Sequence, residues 1–501
     1  MTDAYPELFR HARELTLLQS CAAVLGWDQQ TYMPDAGADL RGDQLALLAK
    51  LAHERATAPR LGELLATCEA SPFEPGSVEA ANVRELRHGH DRAVKLPARL
   101  VEELAKVTTA AQQAWQTARS ANDFPLFRPH LEAVMRLKRE EADAVGWTGH
   151  RYDALLDEYE PGCTAAELTP LFAGLTRNLA PLVKAVADSG VTPPDVLARD
   201  WPTDRQKLFA ESAAAAVGFD FAAGRLDTTA HPFCSAFGPG DCRLTTRYKP
   251  RAFNEAFFGV LHEAGHGMYE QGLPADQFGS PCGAYCSLGV HESQSRLWEN
   301  QVGRGRAFWR HFFPRLRQAF PAATVGVTLD QWELAVNAVR PSLIRVEADE
   351  ATYNLHVALR FELELALLDG SLAVADLPGA WAEKVRAYLG LAVPTDREGC
   401  LQDIHWSFGG VGYFPTYTLG NLLAAQLMRA ATAQLGADTL DASVAAGDFR
   451  PLLDWLRTNV HGHGRRYRAA ELCRQATGVE LSPEPFLTGL REKLSRLYGV
   501  C

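Results

Sequence analysis

The sequence predicts a mainly α-helical fold: one large helical body, two-lobed around a groove, with a small β-hairpin or sheet beside one central helix. Three observations lead there. Apolar residues recur at spacings of three and four over most of the 501 residues, with short polar breaks between the runs. No Gly/Ser linker, low-complexity tract or clear repeat divides the chain. One stretch only, His231–Tyr248, carries a convincing strand signal.

In chain order, Leu8–Leu25 is amphipathic and runs into Gly26-Trp27-Asp28-Gln29-Gln30-Thr31-Tyr32-Met33-Pro34. Arg41–Ala56, Val78–Ala93 and Pro97–Asn122 follow as helices. Asp123-Phe124-Pro125 starts the next, which continues through Arg128–Val145. Tyr152–Tyr159 and Thr164–Ala187 extend the pattern, and Asp204–Val217 is Ala-rich and helical. Phe233–Phe237 and Cys242–Tyr248 then flank Gly238-Pro239-Gly240-Asp241, a hairpin with a four-residue loop. A strand here could receive an extended peptide by strand addition; the alternative is a purely structural hairpin.

The central helix is Tyr248–Gln271. Pro250 suits its first turn, and Gly272 and Pro274 are stop signals. Phe253, Phe257, Val260, Ala264 and Met268 form its apolar face. It contains His262-Glu263-Ala264-Gly265-His266, an H-E-x-x-H motif. His262 and His266 project from one face, a turn apart, as two ligands of a single metal ion must. Glu263 is placed to take a proton from water on that metal. Gly259, Gly265 and Gly267 each weaken a helix interior by roughly 1 kcal/mol, which points to backbone or ligand approaching closely.

Beyond a Gly/Pro-rich loop, Gln271–Ser287, a second helix carries Val290–Asn300. Pro341 opens a long helix, Ser342–Leu368, containing Ile344-Arg345-Val346-Glu347-Ala348-Asp349. Gly399–Trp406 precedes a glycine-rich loop that leads into Tyr413-Phe414-Pro415-Thr416-Tyr417 and a helix from Asn421. Arg465–Leu472 and Pro483–Leu497 read as closing helices. The expected organisation is a single domain over 1–501: an N-terminal helical part to about residue 200, the metal and substrate motifs over 231–420, and C-terminal helices over 421–501.

Composition narrows the function classes. Hydrophobic residues at 47% and charged ones at 22% suit a soluble globular protein, and a net charge of −11 argues against nucleic acid and anionic membranes as partners. Met1–Pro6 lacks the basic and apolar regions of a leader, and no run approaches the ~18 apolar residues of a membrane span. Ten scattered cysteines, with Cys282-x-x-x-Cys286 as the nearest pair, suggest free thiols in a reducing, cytoplasmic compartment.

A hydrolytic zinc needs a third protein ligand. Tyr269 and Gly272 occupy the places where a metzincin has glycine and a third histidine, so that class is excluded. Glu270 lies eight residues from His262, which at roughly 1.5 Å per residue is about 12 Å, too far for one ion to span. His291 and Glu292, opening the next helix, are the local candidates; Glu292 could instead pair with Arg296 at i,i+4. Spacing alone leaves the two tied.

Six ordered blocks now accumulate: His231-Pro232-Phe233, Asp241-x-Arg243-x-Thr245, His262-Glu263-x-x-His266, His291-Glu292-Ser293-Gln294, Ile344-Arg345-x-x-Ala348-Asp349 and Gly399-x-x-Gln402-Asp403-x-His405-Trp406. With Tyr413–Tyr417, Leu25–Pro34 and Tyr152–Thr164, they resemble the carboxypeptidase Taq family of metallocarboxypeptidases over essentially the whole chain. The resemblance implies a mainly α-helical fold with a deep substrate groove, a homodimer, and removal of single residues from the free C-termini of peptides. It also implies Glu292 as third ligand beside His262 and His266, and Glu263 as general base. The expected cofactor is one divalent metal per chain, zinc first, with cobalt and manganese as alternatives.

The other motif residues have two readings each. Arg345 could grip the substrate carboxylate bidentately, or pair with Asp349 at i,i+4, or do both. Tyr413 and Tyr417 could donate hydrogen bonds to the oxyanion or the carboxylate, or simply pack. His405 and His231 could bind substrate, or be plain structural histidines. Arg243 could border the groove and limit how far a peptide extends. His461-Gly462-His463 resembles a second metal tract but reads as a solvated loop. The rival functions are an endo-acting zinc oligopeptidase and a non-catalytic, zinc-stabilised scaffold.

Overall fold

Element boundaries follow local chemistry. The computed structural model describes residues 4–71 and 73–500. Nine helices come first: α1 (Ala4–Thr31), α2 (Ala38–Ala56), α3 (Pro59–Glu69), α4 (Val78–Lys95), α5 (Ala98–Ala121), α6 (Phe124–Val145), α7 (Arg151–Leu156), α8 (Ala165–Asp188) and α9 (Thr203–Val217). Asn122 ends α5 in a left-handed conformation, and the Asp123 side chain accepts the Leu126 N–H to start α6. Thr164 and Glu167 form a reciprocal capping box on α8.

A three-stranded sheet follows: β1 (Gly224–Thr228), β2 (Cys234–Gly238) and β3 (Asp241–Thr246). Its order is β1-β3-β2, with β3 parallel to β1 and antiparallel to β2. The hairpin is real, but its loop is the two residues Pro239 and Gly240, not four, because Gly238 and Asp241 pair with each other beyond a bulge. β1 has no counterpart in the sequence reading.

The remaining helices are α10 (Phe253–Gln271), α11 (Leu288–Arg296), α12 (Arg306–Ala319), α13 (Leu329–Val336), α14 (Tyr353–Asp369), α15 (Leu377–Leu389), α16 (Pro415–Leu435), α17 (Ala437–Ala446), α18 (Arg450–Asn459), α19 (Ala469–Thr477) and α20 (Glu484–Tyr498). α10 starts at Phe253, so Pro250 precedes it instead of sitting in its first turn. α14 starts at Tyr353, not at Ser342. Asp349 accepts the backbone N–H groups of Arg340, Ala351 and Thr352, folding the segment ahead of the helix into turns. Arg345 therefore lies in a 3₁₀ turn, Arg345–Glu347, and the i,i+4 pair with Asp349 does not exist. α16 starts at Pro415, which puts Tyr417 on a helix.

The chain forms two compact units, each discontinuous. The first comprises Met1–Val94, Pro193–Val336 and Leu423–Leu481; the second comprises Lys95–Thr192, Asn337–Leu422 and Ser482–Cys501. In the first, the apolar face of α10 (Phe253, Phe257, Val260, Ala264 and Met268) is buried in an aromatic core with Trp201, Trp309 and Trp332. Phe253 stacks on Phe257 at 5.2 Å and meets Trp201 at 4.5 Å. Burying such side chains contributes about 1.5–3 kcal/mol each. In the second unit α14 is buried on nearly every side, with Phe361 against Phe172 and Tyr152.

Candidate metal centre

α10 holds His262, Glu263 and His266 on a rigid, core-anchored helix, and α11 lies directly across it. The crossing depends on Gly265. A Cβ there would stand 2.5 Å from the Gln294 carbonyl oxygen and 2.6 Å from Ser295 Cα. Gly267 is likewise pressed by Phe219 and Leu244, whereas Gly259 has only Thr246 Oγ1 at 3.9 Å and needs no glycine on packing grounds.

This approach brings Glu292 to the two histidines. Glu292 Oε2 is 3.7 Å from His262 Nε2 and 3.6 Å from His266 Nε2, and the three donor atoms all lie within 4.8 Å of one another. Bonds of ~2.0–2.1 Å at tetrahedral angles would separate such atoms by roughly 3.4 Å, so the set fits one cation. Arg296 takes the other Glu292 oxygen at 2.7 Å. The i,i+4 pair and the convergence on the histidines therefore coexist. Burial would raise the Glu292 pKa, but Arg296 and His262 outweigh it and hold the carboxyl well below the usual range.

The far nitrogens of both histidines are engaged. His262 Nδ1 lies 2.9 Å from Glu299 Oε2, and His266 Nδ1 hydrogen-bonds His291 Nδ1. His291 Nε2 is in turn 2.7 Å from Glu270 Oε1. Glu299 sits in a π-helical turn, Leu297–Val302, that continues α11, where Arg296 meets it at 3.0 Å and Arg304 at 3.4 Å. Sequence reasoning gave Glu299 no role; its signal was its place seven residues, two helical turns, beyond Glu292. Glu263 is buried beside these candidate ligands, and that burial pushes its carboxyl up to about 7.

The second unit holds a separate polar cluster. Arg345 is buried; its Nε and Nη2 lie 3.0 and 2.9 Å from Asp403 Oδ1, and its Nη1 donates to the Tyr353 hydroxyl at 2.8 Å. Arg360 takes the other oxygen of Asp403 at 2.6 Å, so two guanidiniums share one carboxylate. The Gln402 side chain accepts the Arg345 backbone N–H at 2.9 Å. The Tyr417 ring faces the guanidinium at 4.9 Å, and its hydroxyl lies 3.2 Å from His405 Nε2. Tyr413 packs 5.3 Å from the His405 ring and 5.4 Å from Tyr417. The structure thus groups Arg345, His405, Tyr413 and Tyr417, and adds Asp403 and Arg360 as the partners that sequence spacing could not reveal.

The other expected site residues, His231 and Arg243, belong to the first unit. His231 is exposed in the loop ahead of β2. Arg243, on β3, pairs with Asp241 at 2.8 Å and stacks between Trp27 and Phe237 at 4.4 and 4.9 Å. His461 is not in a solvated loop: it is fully buried and bonds Gln294 at 2.9 Å.

Comparison with known proteins shows the family. The family model described as carboxypeptidase Taq (M32) metallopeptidase matches residues 7–494. The chain is 49% identical to thermostable carboxypeptidase 1 of Thermus thermophilus, over 99% of both proteins, and 36% identical to carboxypeptidase 1 of Bacillus subtilis, over 98% of both. Among solved structures, the M32 carboxypeptidase from Deinococcus radiodurans R1 superposes with a TM-score of 0.96 at 43% identity, covering 99% of this chain and 100% of that one. With its half-buried histidine pair, its converging buried glutamate and this full-length match, the chain belongs to the carboxypeptidase Taq (M32) family and is a metal-dependent carboxypeptidase.

Proposed function

We propose that this enzyme releases single amino acids from the free C-terminus of peptides, using one divalent cation held by His262, His266 and Glu292, with Glu263 as general base. The observation that carries the ligand assignment is the convergence of those three donor atoms within 4.8 Å. Two imidazoles and a carboxylate suit zinc, with cobalt and manganese as the alternatives. When bound, such a cation supplies Lewis acidity, acidifying water and polarising the scissile carbonyl.

The chain's own residues do the rest. Arg296 occupies one Glu292 oxygen and so aims the other at the histidines. Glu263 takes the proton from the attacking water and returns it to the leaving amine. Arg345 receives the substrate's terminal carboxylate. Sharing Asp403 between Arg345 and Arg360 leaves one positive charge in excess among these three groups, which supports an anionic guest. Tyr413, Tyr417 and His405 are substrate contacts in this reading, and His231 and Arg243 border the peptide further out, with Arg243 limiting its extension. A deep groove holding the peptide, a single catalytic domain over residues 1–501, a homodimer and a cytoplasmic location belong to the same proposal. The free cysteines among the described residues suit that compartment.

The test pairs one peptide as free acid with its C-terminal amide. A carboxypeptidase gives a ladder shortened one residue at a time and a sharply lower kcat/KM for the amide. In Arg345→Ala the acid loses activity and the gap narrows, because the carboxylate loses its charged partner. Internal fragments formed at equal rates from both peptides would favour the endo-acting alternative. An unchanged acid preference in Arg345→Ala would move the carboxylate to Arg243, Tyr413 or Tyr417.

A further inference from the structure

Behind the two histidines of α10 stands an outer layer of hydrogen bonds whose halves differ. Behind His262 it is a carboxylate, Glu299. Behind His266 it is a second imidazole, His291, which ends on Glu270. His266 and Glu270 are i,i+4 neighbours on one helix, and His291 reaches across from α11 to bridge them. Glu270 stands too far along α10 to share a cation with His262, yet it is joined to His266 through a single ring.

Proton counting fixes the direction of this chain. A neutral imidazole has one N–H and one lone pair. If His266 Nε2 gives its lone pair to a cation, its Nδ1 carries the hydrogen and donates to His291 Nδ1. His291 then holds its own hydrogen on Nε2 and donates it to Glu270 Oε1. Each group has one role and none is left over. The bridge is also held in place: the His291 ring lies 5.3 Å from the Tyr269 ring and 5.0 Å from the Tyr285 ring. The Tyr269 hydroxyl accepts the Cys286 N–H at 3.0 Å, anchoring the loop that delivers Tyr285.

Resting on the ligand assignment above, we propose that His291 and Glu270 are positioning residues acting in series, a relay that locks His266 in its metal-ligating tautomer and passes the Glu270 charge to it. Outer partners of this kind orient a ligand and raise its basicity, and losing one weakens metal binding by about 10–100-fold. Neither residue touches the cation.

The experiment loads the full-length enzyme with cobalt(II) and follows its loss to a chelator, together with the visible absorption of the bound ion. Glu270→Leu and His291→Leu should each speed release by about 10–100-fold and shift the absorption bands. The double variant should be no faster than the faster single one, because the two residues act through one path. Glu270→Gln keeps an acceptor oxygen but not the charge, so it should recover the tautomer-locking part of the loss and fall between Glu270→Leu and the wild type, which a merely space-filling role would not predict. Release within about twofold of the wild type in Glu270→Leu would overturn the relay, as would multiplicative effects in the double variant. Glu292→Ala separates the two readings: if it holds cobalt as the wild type does, the ligand assignment itself has failed.

Discussion

Glu263 follows His262 in sequence and therefore points about 100° away from it around α10. That offset separates the proposed base from the proposed ligand, and it yields a direct expectation. Glu263→Gln should retain its metal, measured by elemental analysis, while kcat falls at least ~10²-fold; metal loss or near-normal turnover would contradict the assignment. A second carboxyl, Glu364, belongs to the other unit and does different work. It is fully buried, and its oxygens accept hydrogen bonds from the Tyr152 hydroxyl at 2.7 Å, Trp406 Nε1 at 2.8 Å and the Gly412 N–H at 3.2 Å. Burial nevertheless raises its pKa to about 7 from an ordinary 4.5. Between those values the folded state binds more protons than the unfolded one, so this group's contribution to stability falls as pH rises through the window. Relative to Glu364→Gln, the wild type should lose on the order of 1–3 kcal/mol between about pH 5 and about pH 8. Thermal midpoints of both proteins at the two pH values check this, and parallel profiles would reject it.

At the scale of elements, the contact of α10 with α11 builds the proposed metal centre, and glycine permits it. Gly265→Ala would drive a methyl into the Gln294 carbonyl and Ser295 Cα, which are backbone and cannot swing aside. The expected outcome is destabilisation by about 1–3 kcal/mol with weaker metal retention, since α11 carries Glu292. Gly259→Ala meets nothing closer than 3.9 Å and should instead raise the thermal midpoint, because alanine gains roughly 1 kcal/mol over glycine in a helix interior. These helices were legible in the sequence because H-E-x-x-H fixes both period and chemistry, and the hairpin was legible from its turn residues. β1 was not: Leu226 and Asp227 are adjacent and both buried, which breaks strand alternation, and Asp227 is buried only because Arg225 and Tyr32 bind it. The segment before α14 has apolar residues at helical spacing, but Asp349 diverts it into turns through bonds to the backbone. The same limit hid the partner of Arg345, since Asp403 lies 58 residues away.

The whole molecule is two units threaded by one chain that passes between them five times, at residues 94/95, 192/193, 336/337, 422/423 and 481/482. The last passage delivers α20 to the second unit, where Leu487, Leu490, Leu494 and Tyr498 are buried, Lys493 pairs with Glu350 at 2.6 Å and the Tyr498 hydroxyl accepts the Val339 N–H at 3.0 Å. A chain ended after Leu481 gives up burial worth about 1.5–3 kcal/mol per large side chain, which together rivals the whole margin of about 5–15 kcal/mol. It should accumulate as insoluble or rapidly proteolysed material, which fractionation and limited proteolysis would register. The first unit has its own late arrivals. Leu423, Leu427, Leu452 and Leu456 belong to the core under α10, and His461 reaches Gln294 on α11. Every proposed metal ligand has been synthesised by residue 292, yet the core that holds them is completed only by residues 423–481. On a translating ribosome the ligands would wait through more than a hundred further residues before their site could close, so metal acquisition becomes one of the last events in the birth of the enzyme.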